Sequence, residues 1–144
     1  MNFSTRSKYG MNAMFELALR YGGRPASIKD ISESQQIPEA YLEQLFMPLK
    51  KAGLIQAARG AQGGYTLAKA PVEISVGSVI RTLEGPISPA DCLLTDEGGT
   101  CERGNACPGR IIWEKLYNSI NSVIDSLSMQ DILNEYETRN KGDK

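Results

Sequence analysis

Three cysteines in the second half of the chain are the residues best suited to do chemistry. Cys92, Cys101 and Cys107 are separated by eight and by five residues. They lie in residues 86–109, a stretch rich in glycine and proline that has no helical or strand periodicity. So long a stretch without regular structure is uncommon in a compact domain unless something organises it. Thiolates on a loop can bind a soft metal centre, which would order the loop.

The residues alone leave three interpretations of these cysteines open. An iron–sulfur cluster, either 2Fe–2S or 4Fe–4S, suits three soft ligands in a chain that we expect to be intracellular. A structural zinc site normally takes four Cys or His ligands, and this chain has no histidine. Free or redox-active thiols are the third interpretation. A fourth cluster ligand would be a small molecule, a group from a partner chain, or one of the local carboxylates Asp91, Asp96, Glu97 and Glu102.

The element best suited to contact another molecule is a helix predicted to start at Pro38. Its apolar residues recur with the period of a helix and form one stripe, at Leu42, Leu45, Phe46 and Leu49. The opposite face carries Glu43 and Gln44 and is available for a partner. Gly53 supplies the left-handed residue that closes such a helix.

The segments on either side of this helix predict a winged helix-turn-helix. Ser27 with Asp30 is a capping signature that opens a short helix, and a three-residue turn separates the two helices. Residues 54–55 and 65–67 are prone to form strands and flank a basic, glycine-rich tip at Arg59. A helix suits the major groove of DNA, and an inserted arginine suits the minor groove. An ordinary amphipathic helix and hairpin in a small α+β domain is the alternative.

Charge is distributed unevenly along the chain. The net charge is −1, yet residues 1–70 hold nine Lys and Arg against five Asp and Glu, whereas residues 71–144 hold seven against twelve. The basic half contains the helix-turn-helix, as expected of a protein that binds nucleic acid. Lys8 lies near the start of a helix predicted over residues 7–21, where cations can hold a phosphate or simply be solvated. Because the excess is small, we expect a dimer to be needed for DNA affinity.

The clearest helix is predicted over residues 110–127. Its apolar residues are spaced three and four apart, as in a short coiled-coil seam. The helix is long enough to pack against a copy of itself or to cover the N-terminal domain. A last short helix ends near Tyr136, and the polar residues after it read as a flexible tail. The seam residues are Trp113, Leu116, Ile120, Val123 and Leu127.

Several other classes of protein lack support in the sequence. No run of about 18 apolar residues is present, so we expect no membrane span. No secretory signal is visible, and an odd number of cysteines argues against a disulfide framework, so we expect a cytoplasmic protein. The chain has no histidine for acid–base work and no phosphate-loop motif, so we expect no enzymatic activity.

These motifs together resemble a bacterial family of winged-helix transcription regulators, typified by the iron–sulfur cluster regulator IscR, the nitric-oxide sensor NsrR and the cysteine-metabolism repressor CymR. The resemblance covers nearly the whole chain, to about Tyr136. Three cysteines before a tryptophan-containing helix match the cluster-binding branch. The motifs that carry the resemblance are Ser7-Lys8-Tyr9-Gly10, Tyr41-Leu42-Glu43-Gln44-Leu45, Arg59-Gly60-Ala61-Gln62-Gly63-Gly64-Tyr65 and Leu83-Glu84-Gly85-Pro86-Ile87.

The resemblance implies a homodimer on a pseudo-palindromic operator in double-stranded DNA. It implies that the helix at residues 110–127 crosses its counterpart at the dimer interface. It also implies that an iron–sulfur cluster on the three cysteines tunes DNA binding in response to cluster or iron supply, or to redox or nitrosative stress. A histidine that serves as a ligand in this family is replaced here by Arg110, and an acidic ligand by Lys8. The fourth ligand, the cluster type and the sign of the response therefore stay open.

The resemblance also assigns residues to DNA. It places Tyr41, Glu43 and Gln44 at the major groove and Arg59 in the minor groove. Gln44 can donate to and accept from base edges, whereas Glu43 repels phosphate and suits a selectivity role. The predicted DNA-contacting residues are Tyr41, Glu43, Gln44, Arg59, Gly60, Gln62, Lys8 and Ser27.

The predicted fold class is mainly α with a small β-hairpin wing, a winged helix-turn-helix followed by a long dimerisation helix. The predicted function is a DNA-binding transcriptional repressor or regulator. The alternative is a cluster-free repressor similar to CymR, controlled by an enzyme partner or by thiol oxidation. The predicted divisions are a DNA-binding domain at 1–70, a connecting helix at 71–85, a cysteine loop at 86–109, dimerisation and terminal helices at 110–136, and a tail at 137–144.

Overall fold

Helices surround one small β-hairpin in the computed structural model, which describes residues 2–61, 63–94 and 107–142. The strands of the hairpin, which we call the wing, pair antiparallel. Short 3-10 turns lie at Pro71–Glu73 and Asp91–Leu93. The regular elements of the described residues are α1 (Thr5–Leu19), α2 (Ile28–Gln35), α3 (Glu39–Lys51), β1 (Ile55–Ala58), β2 (Gly64–Leu67), α4 (Val76–Glu84), α5 (Pro108–Ser126) and α6 (Met129–Gly142).

The helix-turn-helix of α2 and α3 forms from local signals. The Ser27 hydroxyl accepts a hydrogen bond from the Asp30 N–H at 3.0 Å, and the Ser27 N–H donates to the Asp30 carboxylate at 3.1 Å. This confirms the predicted capping signature. Gln36 has φ 56° and ψ 47°, a left-handed conformation that turns the chain from α2 toward α3. Pro38 is the N-cap of α3 rather than part of its first turn.

Helix α1 lies at the centre of the core and packs against α2, α3, α4, α6 and β2. The stripe predicted on α3 is buried against it, with each Leu or Phe contributing about 1.5–3 kcal/mol relative to exposure. Helix α6 contributes Met129 and Leu133 to the same core. The largest side chains with less than 2% exposure include Met14, Leu17, Ile31, Ile37, Leu42, Leu45, Leu49, Ile55 and Ile74.

The wing is held to the rest of the protein at its base. Ile55 pairs with Leu67 and Ala58 with Gly64, which leaves residues 59–63 at the tip. Tyr65 also exchanges backbone hydrogen bonds with Ala26. A Cβ on Gly64 would collide with the Ala26 carbonyl, so this approach requires glycine. The base of the wing therefore cannot move independently of the segment that leads into α2.

A second, smaller apolar cluster attaches α5 to α4. It consists of Val76, Ile80, Ile87 and Ile124, with Ile120 and Leu127 packed against it. Helix α4 itself lies against α1, where a Cβ on Gly10 would collide with the side chain of Leu83. Helix α4 therefore joins the N-terminal core to α5.

Helices α1, α5 and α6 have boundaries that differ from those predicted. Helix α1 spans residues 5–19 rather than 7–21. Helix α5 starts at Pro108, two residues before the predicted start at 110, because proline is favoured in a first helical turn. Helix α6 continues to Gly142, through most of the segment predicted to be a flexible tail at 137–144. Its last turns contain an i,i+4 ion pair between Arg139 and Glu135, which supports a helix there.

Among the described residues, no helix combines the length and the apolarity needed to cross a membrane. The divisions of the chain predicted above remain predictions.

Candidate nucleic-acid interface and cysteine site

Helix α3 presents one polar face to the outside. Its apolar stripe is buried in the core, where Leu42 and Leu45 are 0% and 1% exposed. Glu43 and Gln44 lie between these residues in the chain and are exposed. Their side chains are thus carried on a helix whose orientation is fixed by the buried stripe behind them. This is the geometry in which a helix can read base edges in a major groove.

Tyr41 is fixed by an aromatic neighbour from α1. Its ring lies 5.6 Å from that of Tyr9, centroid to centroid, at 86°, an edge-to-face contact. Tyr41 is half-buried, and the exposed Lys8 precedes Tyr9 in the chain. Tyr9 had no predicted role, since no local pattern connects residues 32 positions apart. The contact brings the predicted Lys8 and Tyr41 to neighbouring elements on one side of the protein.

The tip of the wing carries the predicted Arg59 and Gly60, both exposed. Gly60 has φ 113°, a conformation that L side chains rarely adopt. Its carbonyl accepts a hydrogen bond from the Gly63 N–H at 3.0 Å and closes the turn. Arg59 follows β1 directly, so its position is set by the paired strand before it. The predicted Gln62 lies outside the described residues.

Ser27 has a structural task in addition to its predicted contact with DNA. It caps α2 through the reciprocal bonds with Asp30, and the hydrogen bond that the Ser27 N–H donates to the carboxylate holds the pKa of Asp30 below its ordinary value. An ionised Asp30 suits the N-terminus of a helix. The predicted contact of Ser27 with DNA stays a prediction.

The N-terminus of α1 is already paired with a carboxylate of this chain. Glu84 accepts hydrogen bonds from the Ser4 N–H at 2.5 Å and from the Ser7 hydroxyl at 2.7 Å. Hydrogen bonding from the Ser4 and Ser7 side chains, and from the Ser4 N–H, holds the pKa of Glu84 below its ordinary value. An internal anion therefore sits where the sequence suggested that a phosphate could bind. Glu84 belongs to a motif that carries the family resemblance, but its partner 80 residues away could not be found from the sequence.

Two of the three predicted cysteine ligands are described, and they lie on neighbouring elements. Cys92 is in the 3-10 turn Asp91–Leu93, which packs against α5. Cys107 is the N-cap of α5. Both are half-buried, and they do not form a disulfide with each other. Within residues 2–61, 63–94 and 107–142, no group of three or more His, Cys, Asp and Glu side chains is placed to hold a metal. Cys101 lies outside the described residues.

The first turn of α5, which follows Cys107, carries a largely buried positive charge. The Arg110 Nε donates to the Glu114 carboxylate at 3.0 Å, and the Arg110 side chain keeps 14% of its accessible surface. Its Nη1 atom is buried and has no hydrogen-bond acceptor among the described residues. Buried polar groups are nearly always paired, so this nitrogen calls for an acceptor. Two half-buried thiols, with a guanidinium nitrogen that lacks an acceptor among the described residues, are a donor set that fits an anionic, thiolate-ligated cluster.

A polar clamp connects α5 to α4 and to the segment that leads to Cys92. Arg81 donates to both carboxylate oxygens of Asp125, at 2.6 and 2.9 Å, and to the Asn121 side chain at 2.6 Å. The Asn121 amide donates in turn to the Ile87 carbonyl at 3.2 Å. The hydrogen bond from Arg81 holds the pKa of Asp125 below its ordinary value. No local pattern in the sequence predicts this clamp, because Arg81 lies about 40 residues from its partners.

The seam predicted on α5 is divided between two environments. Ile120 and Leu127 pack against the second apolar cluster of the protomer. Trp113, Leu116 and Val123 keep 38%, 43% and 56% of their surface exposed. Ile111 and Ile112 on the same helix are also exposed. Large apolar side chains grouped on one surface commonly mark an interaction site. Their contact with a second copy stays a prediction.

Comparisons with known proteins agree with this geometry. A family model named Rrf2, described as an iron-dependent transcriptional regulator, matches residues 3–135. The chain is 39% identical over 132 residues to the HTH-type transcriptional regulator CymR of Bacillus subtilis, covering 92% of this chain and 89% of that protein. It is 35% identical over 144 residues to the HTH-type transcriptional regulator IscR of Aliivibrio salmonicida, covering 100% of this chain and 84% of that protein.

Solved structures give the same picture. The structure of CymR, the global cysteine regulator of B. subtilis, superposes with a TM-score of 0.78 at 38% identity, covering 92% of this chain and 95% of that one. The structure of T. potens IscR superposes with a TM-score of 0.78 at 40% identity, covering 96% and 90%. These likenesses confirm the predicted fold class, a mainly helical winged helix-turn-helix.

Proposed function

Because this chain belongs to the Rrf2 family of transcriptional regulators, we propose that it binds a pseudo-palindromic operator in double-stranded DNA as a homodimer in the cytoplasm. Its homologues are named as transcriptional regulators, and the chain is a regulator rather than an enzyme. The observation that carries the proposal is the fixed polar face of α3 beside an exposed arginine at the tip of the wing.

DNA recognition divides between these two elements. Tyr41, Glu43 and Gln44 enter the major groove, where Gln44 can pair with a base edge by donating and accepting. Glu43 repels phosphate and accepts only from a donor such as cytosine N4, so it disfavours the wrong sequence. Arg59 enters the adjacent minor groove, whose negative potential attracts an arginine. The half-sites of a dimer lie one helical turn, or a multiple of it, apart.

The exposed part of the α5 seam supports the homodimer. Trp113, Leu116 and Val123 are three large apolar side chains that remain partly exposed on the protomer. Burying them against the same residues of a second copy removes apolar surface from water on both sides. The excess of basic residues in one protomer is small, so two copies on one DNA are needed for useful affinity.

We assign Cys92, Cys101 and Cys107 to an iron–sulfur cluster that modulates operator binding. When bound, the cluster supplies a redox-active centre that reacts with oxidants or nitric oxide and responds to iron supply. The chain contributes a route from that centre to DNA. The segment after α4 carries Cys92, the Arg81 clamp connects that segment to α5, and Glu84 connects α4 to α1. Order in the cysteine segment can thus change the angle between the dimer helix and the DNA-reading elements.

Anaerobic purification tests this assignment. We expect visible charge-transfer absorption, with iron and sulfide in matching amounts, for the native protein but not for Cys92→Ala. Operator affinity of the two proteins, measured in parallel, gives the sign of the cluster's effect.

A native protein that is colourless and free of iron, and that still binds its operator, would reject the cluster. That outcome favours the second candidate, a cluster-free repressor controlled by an enzyme partner or by thiol oxidation. The observation behind this candidate is the 39% identity to the CymR of B. subtilis.

A further inference from the structure

Arg110 is buried more completely than its hydrogen bonds justify. Among the residues that the structure describes, only its Nε is paired, with the carboxylate of Glu114. That carboxylate is half-exposed and forms one contact at the edge of the guanidinium. The Nη1 atom has lost its water without gaining an acceptor in the part of the chain that the structure describes. Leaving a charged donor unpaired in the interior is costly, so a further acceptor belongs at this point.

The first turns of α5, which contain Arg110, also hold a sulfur and a second N–H donor. The Arg110 N–H donates to the Cys107 carbonyl at 3.1 Å, so both residues share the first turn of α5. A Cβ placed on Gly109 would lie 3.3 Å from the Trp113 Nε1 and 3.6 Å from the Cys107 Sγ. The absence of a side chain at Gly109 therefore keeps the space between the indole N–H and the sulfur open.

We propose that Arg110 donates a charge-assisted hydrogen bond to the sulfur of an iron–sulfur cluster held at Cys107, and so stabilises the cluster without ligating it. This inference rests on the cluster in the proposed function. A guanidinium has no lone pair to give to iron and carries its charge at all relevant pH values. A thiolate-ligated cluster is anionic and offers sulfur acceptors. Arg110 is thus a positioning residue for the cluster.

The electrostatics give the inference a sign. A fixed positive charge beside the cluster favours its more negative, reduced state and therefore raises its reduction potential. The same charge strengthens retention of the cluster. In the cluster-free protein, by contrast, the guanidinium is an unsatisfied buried group. Removing it should therefore weaken the cluster-bound form and leave the cluster-free form as stable as before or more so.

The test compares Arg110→Met, Arg110→Lys and the control Arg139→Met in the full chain. Arg139 pairs with Glu135 at the same i,i+4 spacing but on an exposed surface of α6. Each protein is loaded with iron and sulfide anaerobically. The measurements are the midpoint potential, the rate of cluster loss to a chelator, and the unfolding temperature of the cluster-free protein.

For Arg110→Met we expect a lower midpoint potential and about tenfold faster cluster loss, typical of removing a supporting partner of a metal site. The cluster-free protein should unfold at the native temperature or above it. Arg110→Lys should fall between Arg110→Met and the native protein, because it restores the charge but not the fork of donors. Arg139→Met should match the native protein in all three measurements.

Four outcomes would overturn the inference. An unchanged potential and rate of cluster loss in Arg110→Met would remove Arg110 from the cluster while leaving the cluster itself intact. A lower unfolding temperature without the cluster would show a purely structural role. Weaker dimerisation with an unchanged potential would place the acceptor on a second copy. A native protein that takes up no iron and sulfide would reject both this inference and the proposed cluster.

Discussion

The DNA-binding half and the cysteine end of this protein differ in how far each is complete within one protomer. Around α3, the apolar stripe is buried and the polar residues face outward. Around α5, large apolar side chains remain exposed, and one guanidinium nitrogen is buried without an acceptor among the described residues. In the first region, the apolar side chains are buried within one protomer. The second has exposed apolar side chains and a guanidinium nitrogen that can contact a second protomer or a cofactor.

The difference follows from how each helix is covered. Helix α3 has neighbours on its whole apolar side, from α1, α2, α4 and β1. Helix α5 has α4 and the turn containing Cys92 on one side. Its apolar residues occupy more of the helix surface than these two elements cover. Ile124 is buried in the second apolar cluster, whereas Trp113 is exposed. This contrast suits a regulator, because α3, whose orientation is fixed by its buried stripe, is then joined to a region whose conformation can depend on what it binds.

The largest effect on stability is expected from a cavity in the core beneath α3. Leu45→Ala removes a side chain that is 1% exposed and should destabilise the protein by about 2–5 kcal/mol. Met47→Ala is the control on the same helix, because Met47 is 73% exposed. Its effect should stay within about 0.5 kcal/mol. Chemical denaturation measures both. Similar losses for the two variants would mean that the burial on α3 is misassigned.

A charge on the exposed seam should prevent association without harming the protomer. Leu116→Lys with Val123→Lys brings like charges together across the proposed interface and should weaken dimerisation by about 3 kcal/mol. The matched control is Asn118→Lys with Ser122→Lys, at exposed positions outside the seam. Sedimentation velocity measures the oligomeric state, and circular dichroism measures the fold.

If the seam variant stays dimeric, the interface lies elsewhere. If it unfolds, α5 is part of the protomer core to a greater degree than its exposure indicates. Ile120 was omitted from this test because it packs within the protomer.

Loss of the arginine at the tip of the wing should weaken operator binding with no effect on folding. Arg59→Ala is expected to cost about 1–3 kcal/mol in specific binding if Arg59 reads a groove. Lys141→Ala removes an exposed cation from α6 and serves as the control for net charge. Fluorescence anisotropy with operator and with unrelated DNA measures affinity and specificity. Equal affinities for native protein and Arg59→Ala would remove the wing from the DNA interface.

The smallest effect is expected where α4 meets α1. Glu84→Gln weakens two hydrogen bonds at a partly exposed site and should destabilise the protein by about 1 kcal/mol at neutral pH. Because the pKa of Glu84 is lowered in the folded state, its stabilisation is complete above the ordinary value of 4.5. It is lost as the pH falls through the lowered value.

Thermal unfolding at pH 7 and at pH 3 measures this dependence, with Glu137→Gln as an exposed control. The gap between the native protein and Glu84→Gln should narrow at the lower pH. A gap of equal size at both values would show that ionisation of Glu84 does not contribute.

Local sequence signals predicted the DNA-binding half closely. The capping residues Ser27 and Asp30, the stripe from Leu42 to Leu49 and the closing Gly53 act over a few residues each, so their pattern is visible in the chain. The family resemblance added the class of function, and the comparisons confirmed it at the level of a transcriptional regulator. The DNA-contacting residues themselves remain predictions, because DNA contacts are not part of a single protomer.

The sequence alone predicts which helices and strands form and which face of each is apolar. It can do so because helix period, caps and turns depend on neighbours within one or two turns. Which distant groups meet depends on how the helices pack in three dimensions. The packing paired Glu84 with the start of α1 and joined Arg81 to Asp125. These contacts depend on how helices pack over 40 to 80 residues of chain, and no local pattern encodes that distance.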